Sequence, residues 1–274
     1  MDFLASRPSL HVLKVELSHL KVAMTLERML NLREISLTEN YRYRSTEPIR
    51  VQTYNNLAKL LALCSAPQIK KLSVVKLTSL HEILPALEPL RLKDLRMTRS
   101  FIKLDSLTTP HLRHLTCLRL LNMNIPGSGE LEKAEQEGRI GSKMNDFWLA
   151  LQRSGVYLKE IKVGNINDGL LVYLTRYTGL TKLGVSTAFS KSLPEPDVPA
   201  RLFFAEPLAS HVETLEELDV RAGFEDTWCF GEHNMSAFSS CAGLKKLAVS
   251  VSKADLSNAL GEPDIVVSSR VRPE

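Results

Sequence analysis

LREISLTEN, residues 32–40, places Leu32, Ile35, Leu37 and Asn40 on the spacing L-x-x-L-x-L-x-x-N. The same skeleton recurs in LHVLKVELS (10–18), IKKLSVVKL (69–77), LKDLRMTRS (92–100), LTCLRLLNM (115–123) and LKEIKVGNI (158–166). It returns in LTKLGVSTA (180–188), LEELDVRAG (215–223) and LKKLAVSVS (244–252). Several adjacent copies begin 22 or 23 residues apart (10 to 32, 69 to 92, 92 to 115, 158 to 180), inside the leucine-rich range of about 20–29. Within each copy aliphatic positions alternate with outward ones, the period-two signature of a short strand. The expected fold class is therefore α/β: a leucine-rich-repeat solenoid over residues 1–260 with a C-terminal tail at 261–274. Its short strands would form a curved parallel sheet on the concave side, with helices and loops on the convex side.

The segments between strands carry helical spacing. YNNLAKLLALCS (54–65) sets Leu57, Leu60, Leu61 and Cys64 on one face, and NDGLLVYLTRYTG (167–179) offers Asn167 or Asp168 as N-cap and Gly179 as C-cap. The ninth-position asparagine survives only at Asn40; Ser100, Met123, Ile166, Ala188 or Gly223 replaces it. An asparagine ladder is thus not expected, and helices should build the convex wall, as in the ribonuclease-inhibitor-like subtype. Segment 125–142 reads as an exposed loop, and the proline-rich 191–200 as an extended one. The chain opens almost directly on a repeat and ends without a template, so it is read as a piece of a longer protein lacking capping units.

Composition sets few limits. The 274 residues are 44% hydrophobic and 24% charged, with net charge +4, ordinary values for a globular protein. Cys64, Cys117, Cys229 and Cys241 lie far apart, and neither a secretion signal nor a membrane-length apolar run is seen. The expectation is a reduced, cytoplasmic or nuclear monomer that does not meet a membrane.

WCFGEHN (228–234) is the one stretch that looks like chemistry. Cys229 and His233 have no second pair at zinc spacing and no matching base elsewhere. The structural reading is that Trp228 and Phe230 cover the core edge and Gly231 makes the turn. Asn234 or Ser236 then caps a helix MSAFSSC. His111, His114 and Cys117 are interleaved with Leu112, Leu115 and Leu118, which read as core. The carboxylate pairs Glu216–Glu217 and Glu225–Asp226 read as solvated surface. No phosphate-loop, dinucleotide, zinc-protease or nucleophile-elbow signature occurs. No enzymatic role, cofactor or metal is expected.

The register also predicts an exposed row: Lys14, Ser36, Ser73, Arg96, Arg119, Lys162, Gly184, Asp219, Ala248. A neighbouring row adds Lys71, Lys182 and Lys246 against Glu34, Asp94, Glu160 and Glu217. Lys14, Lys71, Arg96, Arg119, Lys162 and Lys182 are the candidate partner-binding residues. Arg96, Arg119 and Lys162 would form a short basic stripe for an acidic or phosphorylated peptide, unless the acidic neighbours neutralise it. YRYRSTEPIR (41–50) mixes aromatic and basic groups in a way that suits nucleic acid, but no accompanying motif supports this, and loop packing is the expected role.

Residues 169–185 (GLLVYLTRYTGLTKLGV), 200–220 (ARLFFAEPLASHVETLEELDV), 225–234 (EDTWCFGEHN) and 244–256 (LKKLAVSVSKADL) resemble the leucine-rich region of F-box-like proteins from mushroom-forming fungi. The resemblance implies the target-holding part of a receptor for a cullin-type ubiquitin ligase, whose F-box docks on a Skp-type adaptor. No F-box-like Leu-Pro-x-Glu segment precedes the first repeat, so an adaptor is expected only if an F-box lies upstream. The alternative is a freestanding leucine-rich-repeat scaffold or ligand-binding protein with no ligase role.

Overall fold

The computed structural model describes residues 10–16, 31–38, 68–76, 84, 89–100, 104–121, 139–186, 197–222 and 227–252, with backbone alone at 139–143 and 197. Nine strands form one parallel sheet in chain order, each hydrogen-bonded to the next. They are β1 (Val12–Glu16), β2 (Glu34–Thr38), β3 (Lys71–Val75), β4 (Asp94–Thr98) and β5 (Cys117–Leu121), then β6 (Glu160–Val163), β7 (Lys182–Ser186), β8 (Glu217–Arg221) and β9 (Lys246–Val249). Each begins two residues after the first aliphatic position of its repeat phrase.

Alternation decides which face goes inward. Ile35 and Leu37, Leu72 and Val74, Leu95 and Met97, and Leu118 and Leu120 are all buried, while the residues between them stay partly exposed. Burying an aliphatic side chain of this size contributes about 1.5–3 kcal/mol. A one-residue slip would turn every one of them to solvent. Upstream of the strands a second device fixes the same register. The Arg33 carbonyl accepts the N–H groups of both Lys70 and Lys71, Lys70 accepts Lys93 and Asp94, and Lys93 accepts Thr116 and Cys117. The pattern continues through Thr116, Lys159, Thr181 and Glu216 to Lys245 and Lys246.

Helices and turns close the inward face. They are α1 (Thr109–Leu112), α2 (Arg139–Arg153), α3 (Asp168–Thr175), α4 (Asp197–Ala205), a 3-10 turn (Ala209–His211) and α5 (Glu232–Ser239). Phe147, Trp148 and Leu151 of α2, Leu170, Tyr173 and Leu174 of α3, and Phe203 of α4 share one core with the strand residues. Asn167 caps α3 as expected, its side chain accepting the Leu170 N–H at 2.9 Å. The α2 and α3 backbones approach closely: a Cβ on Gly169 would sit 2.5 Å from Asn145 Cα. In return the Gly169 N–H donates to Asn145 Oδ1 at 2.8 Å.

Several expectations are corrected. Helix α3 ends at Thr175 with Arg176 as its cap, so Gly179 is not the C-cap; at φ +100° it makes the left-handed turn leading into β7. Residues 139–142 of the expected loop are the first turn of α2. The expected extended segment 191–200 instead starts α4 at Asp197. Pro199 fits there because the first helical N–H groups need no intrahelical acceptor. Segments 41–50, 54–65 and 261–274, Cys64 and the Glu225–Asp226 pair lie outside the described residues.

Serine and threonine do part of the work that an asparagine ladder would do. Ser100 is buried and donates to the Thr98 carbonyl at 3.1 Å, with Val74 O at 3.5 Å. Ser250 Oγ accepts the Ala222 N–H at 3.1 Å. Thr116 donates to Lys93 O, Thr181 to Lys159 O and Thr214 to Leu180 O, at 3.1, 3.0 and 2.9 Å.

Candidate functional site: the open face of the sheet

Opposite the core, side chains stand in rows whose membership follows from the register. The central row runs Lys14, Ser36, Ser73, Arg96, Arg119, Lys162, Gly184, Asp219, Ala248, each the direct partner of the next. The flanking row runs Val12, Glu34, Lys71, Asp94, Cys117, Glu160, Lys182, Glu217, Lys246 in the same register. Arg96, Arg119 and Lys162 thus stand side by side on β4, β5 and β6, as the spacing predicts.

Their charges are not isolated. Arg96 donates to Asp94 through Nη2 at 2.9 Å and Nε at 3.2 Å, a pairing that raises its pKa. Arg119 lies 3.8 Å from Glu160. Lys162 reaches Asp219 at 3.3 Å, skipping the intervening strand. In the flanking row Lys71 pairs with Glu34 at 2.9 Å. Lys182 pairs with Glu217 at 2.9 Å and with Glu160 at 3.9 Å. The first of these contacts raises the Lys182 pKa and lowers that of Glu217. The stripe is therefore a mixed-charge lattice with an acid beside each of its three cations. Lys14 occupies the first position of the central row and is exposed.

Gly184 explains the long reach of Lys162. A Cβ at position 184 would lie 3.1 Å from Lys162 Cγ and 3.4 Å from its Cδ, so the lysine stem lies across the glycine. A depression of about 240 Å³ opens here, walled by charged side chains from β5 to β9, with Gly184 and Ala248 contributing no long side chain. The spacing places Lys162, Gly184, Asp219 and Ala248 in one row, and the depression follows from the register around Gly184. A small residue amid long charged ones was the available signal.

The WCFGEHN stretch lies away from this face. Trp228 is buried against Phe203 and Phe204, with ring centroids 5.4 and 5.9 Å apart. Phe230 packs on Phe238 at 5.6 Å, and its N–H donates to Ser250 O at 2.8 Å. The expected cap and helix start are corrected. Helix α5 begins at Glu232 with Gly231 as N-cap, and Asn234 holds the third helical position. From there its Oδ1 accepts the Gly231 N–H at 3.0 Å and its Nδ2 donates to Cys229 O at 2.9 Å. Gly231 itself is extended, at φ −171°. His233 Nε2 lies 2.9 Å from the Thr227 carbonyl.

Other reactive groups are also built into the structure. His111 is buried and accepts the Leu90 N–H at Nδ1, 2.9 Å away, while His114 is exposed. Leu112, Leu115 and Leu118 are core, as expected. Cys117 and Cys241 are free thiols, and both they and Cys229 are buried. Burial, reinforced by Asp94, pushes the Cys117 thiol up to about 11, and its Sγ lies 3.5 Å from Glu160 Oε2. Such a thiol is a poor nucleophile at neutral pH. Glu216 pairs with Lys245 at 2.9 Å on the surface. Among the described residues no three His, Cys, Asp or Glu side chains converge on a metal position, and no helix is long and apolar enough to cross a membrane.

No family model, curated protein or solved structure matches the chain.

Proposed function

We propose that the chain is a non-enzymatic protein-interaction module, a leucine-rich-repeat solenoid of the ribonuclease-inhibitor-like kind. Its open face holds a protein target, in the manner of the target-binding part of a fungal F-box subunit. The observation that carries this reading is the division of labour in the sheet. One face of the strands is spent on the core, and the other presents rows of mainly polar side chains, interrupted at Gly184 by a depression. Parallel repeats commonly bind along such a face. A mixed-charge lattice suits a protein partner, because each ion pair can be exchanged for one across the interface, giving specificity more than raw affinity. The Skp-type adaptor belongs to this reading only with an F-box supplied upstream.

The test places a photo-crosslinking residue at Ser73 in the central row, and separately at Leu202, exposed on α4. Target capture at Ser73, lost when Arg96 and Arg119 are both changed to Glu, is the expected result. Capture only from Leu202, or capture indifferent to the double reversal, overturns the open-face reading. Co-purification of a Skp-type adaptor and cullin with an F-box-containing form separates the ligase role from a freestanding scaffold.

A further inference from the structure

The depression at Gly184 is asymmetric in a way that selects a ligand. Three lysine ammonium groups, from β6, β7 and β9, converge on the two open-face carboxylates of β8. Lys162 is 3.3 Å from Asp219; Lys182 and Lys246 are 2.9 and 3.8 Å from Glu217. Asp219 is further held by Arg221 at 2.8 Å, outside the wall of the depression. Within the wall the cations are Arg119, Lys162, Lys182 and Lys246, and the anions are Glu160, Glu217 and Asp219. Four against three leaves one positive charge over.

Lys246 holds that charge most loosely. Its side chain is 71% exposed and its contact of 3.8 Å is longer than the about 2.7–2.9 Å of a charge-assisted hydrogen bond. Ala248 stands two residues further along the same strand and beside Asp219, the residue to which Lys162 reaches. Its methyl group leaves room above β9, within reach of both Lys162 and Lys246.

We infer that this depression receives one carboxylate side chain, Asp or Glu, of a protein partner, seated above Ala248 and hydrogen-bonded by Lys246 and Lys162. The inference rests on the open-face reading and adds the chemistry of one contact. A single carboxylate balances the wall.

The test measures fluorescence anisotropy of the full chain with synthetic nonapeptide pools, randomised except for a central Glu, Asp, Gln, phosphoserine or Lys. The Glu and Asp pools are expected to bind about tenfold or more tighter than the Gln pool, the value of one charge-assisted hydrogen bond. Lys246→Gln and Ala248→Leu should each abolish that preference; both positions lie on the exposed edge strand, away from the buried core. Equal binding of Glu and Gln pools, tighter binding of phosphoserine, a preference surviving Ala248→Leu, or no binding by any pool overturns the carboxylate receptor. These results leave open-face recognition standing if the Ser73 cross-link persists, whereas loss of that cross-link alone removes the broader reading.

Discussion

At Gly169 the first turn of α3 meets the α2 backbone, and the added Cβ of an alanine would sit 2.5 Å from Asn145 Cα. The obstacle is main chain and cannot rotate away. Alanine gains about 1 kcal/mol in intrinsic helix preference, but overpacking costs about 1–3 kcal/mol and the Asn145 hydrogen bond is strained as the helices part. Gly169→Ala should therefore lower stability by about 1–2 kcal/mol, read as a fall in urea midpoint; an unchanged or raised midpoint would show that the helices can separate freely. His211 makes the complementary case. It is buried, packs edge-on to Tyr177 at 5.0 Å, and neither ring nitrogen has a hydrogen-bond partner of ordinary geometry among the described residues. Burial lowers its pKa, with the Leu174 carbonyl offsetting this only in part. The unfolded chain takes up this proton near pH 6.5, while the folded chain does so only at lower pH. Stability from this group is thus fully present above about pH 6.5 and falls as pH drops toward the folded value. His211→Phe should flatten the decline in urea midpoint between pH 7.5 and 5.5 relative to wild type. A parallel decline in both proteins would remove His211 as its source.

The strands were legible from single positions because each buried aliphatic repeats the same decision: Ile35 and Leu37 go inward for the same reason as Leu95 and Met97. The ends of the intervening elements were less legible. The proline-rich 191–200 reads as extended, yet Pro199 sits in the first turn of α4, where proline is tolerated, and Asn234 caps α5 from inside the helix. Least legible was the pairing of Lys162 with Asp219, 57 residues apart in sequence, because it depends on two successive registers and on a missing side chain between them. Cross-strand charge was visible as a row of mixed sign, without the pairings. In the structure it becomes alternation along the flanking row, with Lys182 between Glu160 and Glu217. Lys182→Glu places three carboxylates on adjacent strands, where like charges directly opposite one another destabilise a sheet. The variant should have a lower urea midpoint than wild type at low ionic strength. The gap should narrow in 1 M salt, where the screening length is about 3 Å. A gap independent of salt would mean that the lysine stem, and not its charge, supports the strands.

Across the whole molecule every strand bonds only to its neighbours in sequence, so stability passes from repeat to repeat without any closing contact among the described residues. In such an array local opening depends on how much apolar surface each unit shares with the next. From β2 to β8 the equivalent side chains, Ile35, Leu72, Leu95, Leu118, Ile161, Leu183 and Leu218, are at most 2% exposed. In β9 the equivalent Leu247 is 44% exposed, although it occupies the same register position beside Leu218. Its backbone pairing is intact; its side-chain burial is not. Hydrogen exchange of the full chain should therefore show a gradient, with amides of 94–98 and 117–121 protected most and those of 246–249 exchanging first. Exchange of β9 before β5 is also what a binding edge near Ala248 requires, since ordering by a ligand there would register as slowed exchange in 246–249 alone. Uniform protection from β4 to β9 would indicate a single cooperative unit and would rule out opening from the β9 edge.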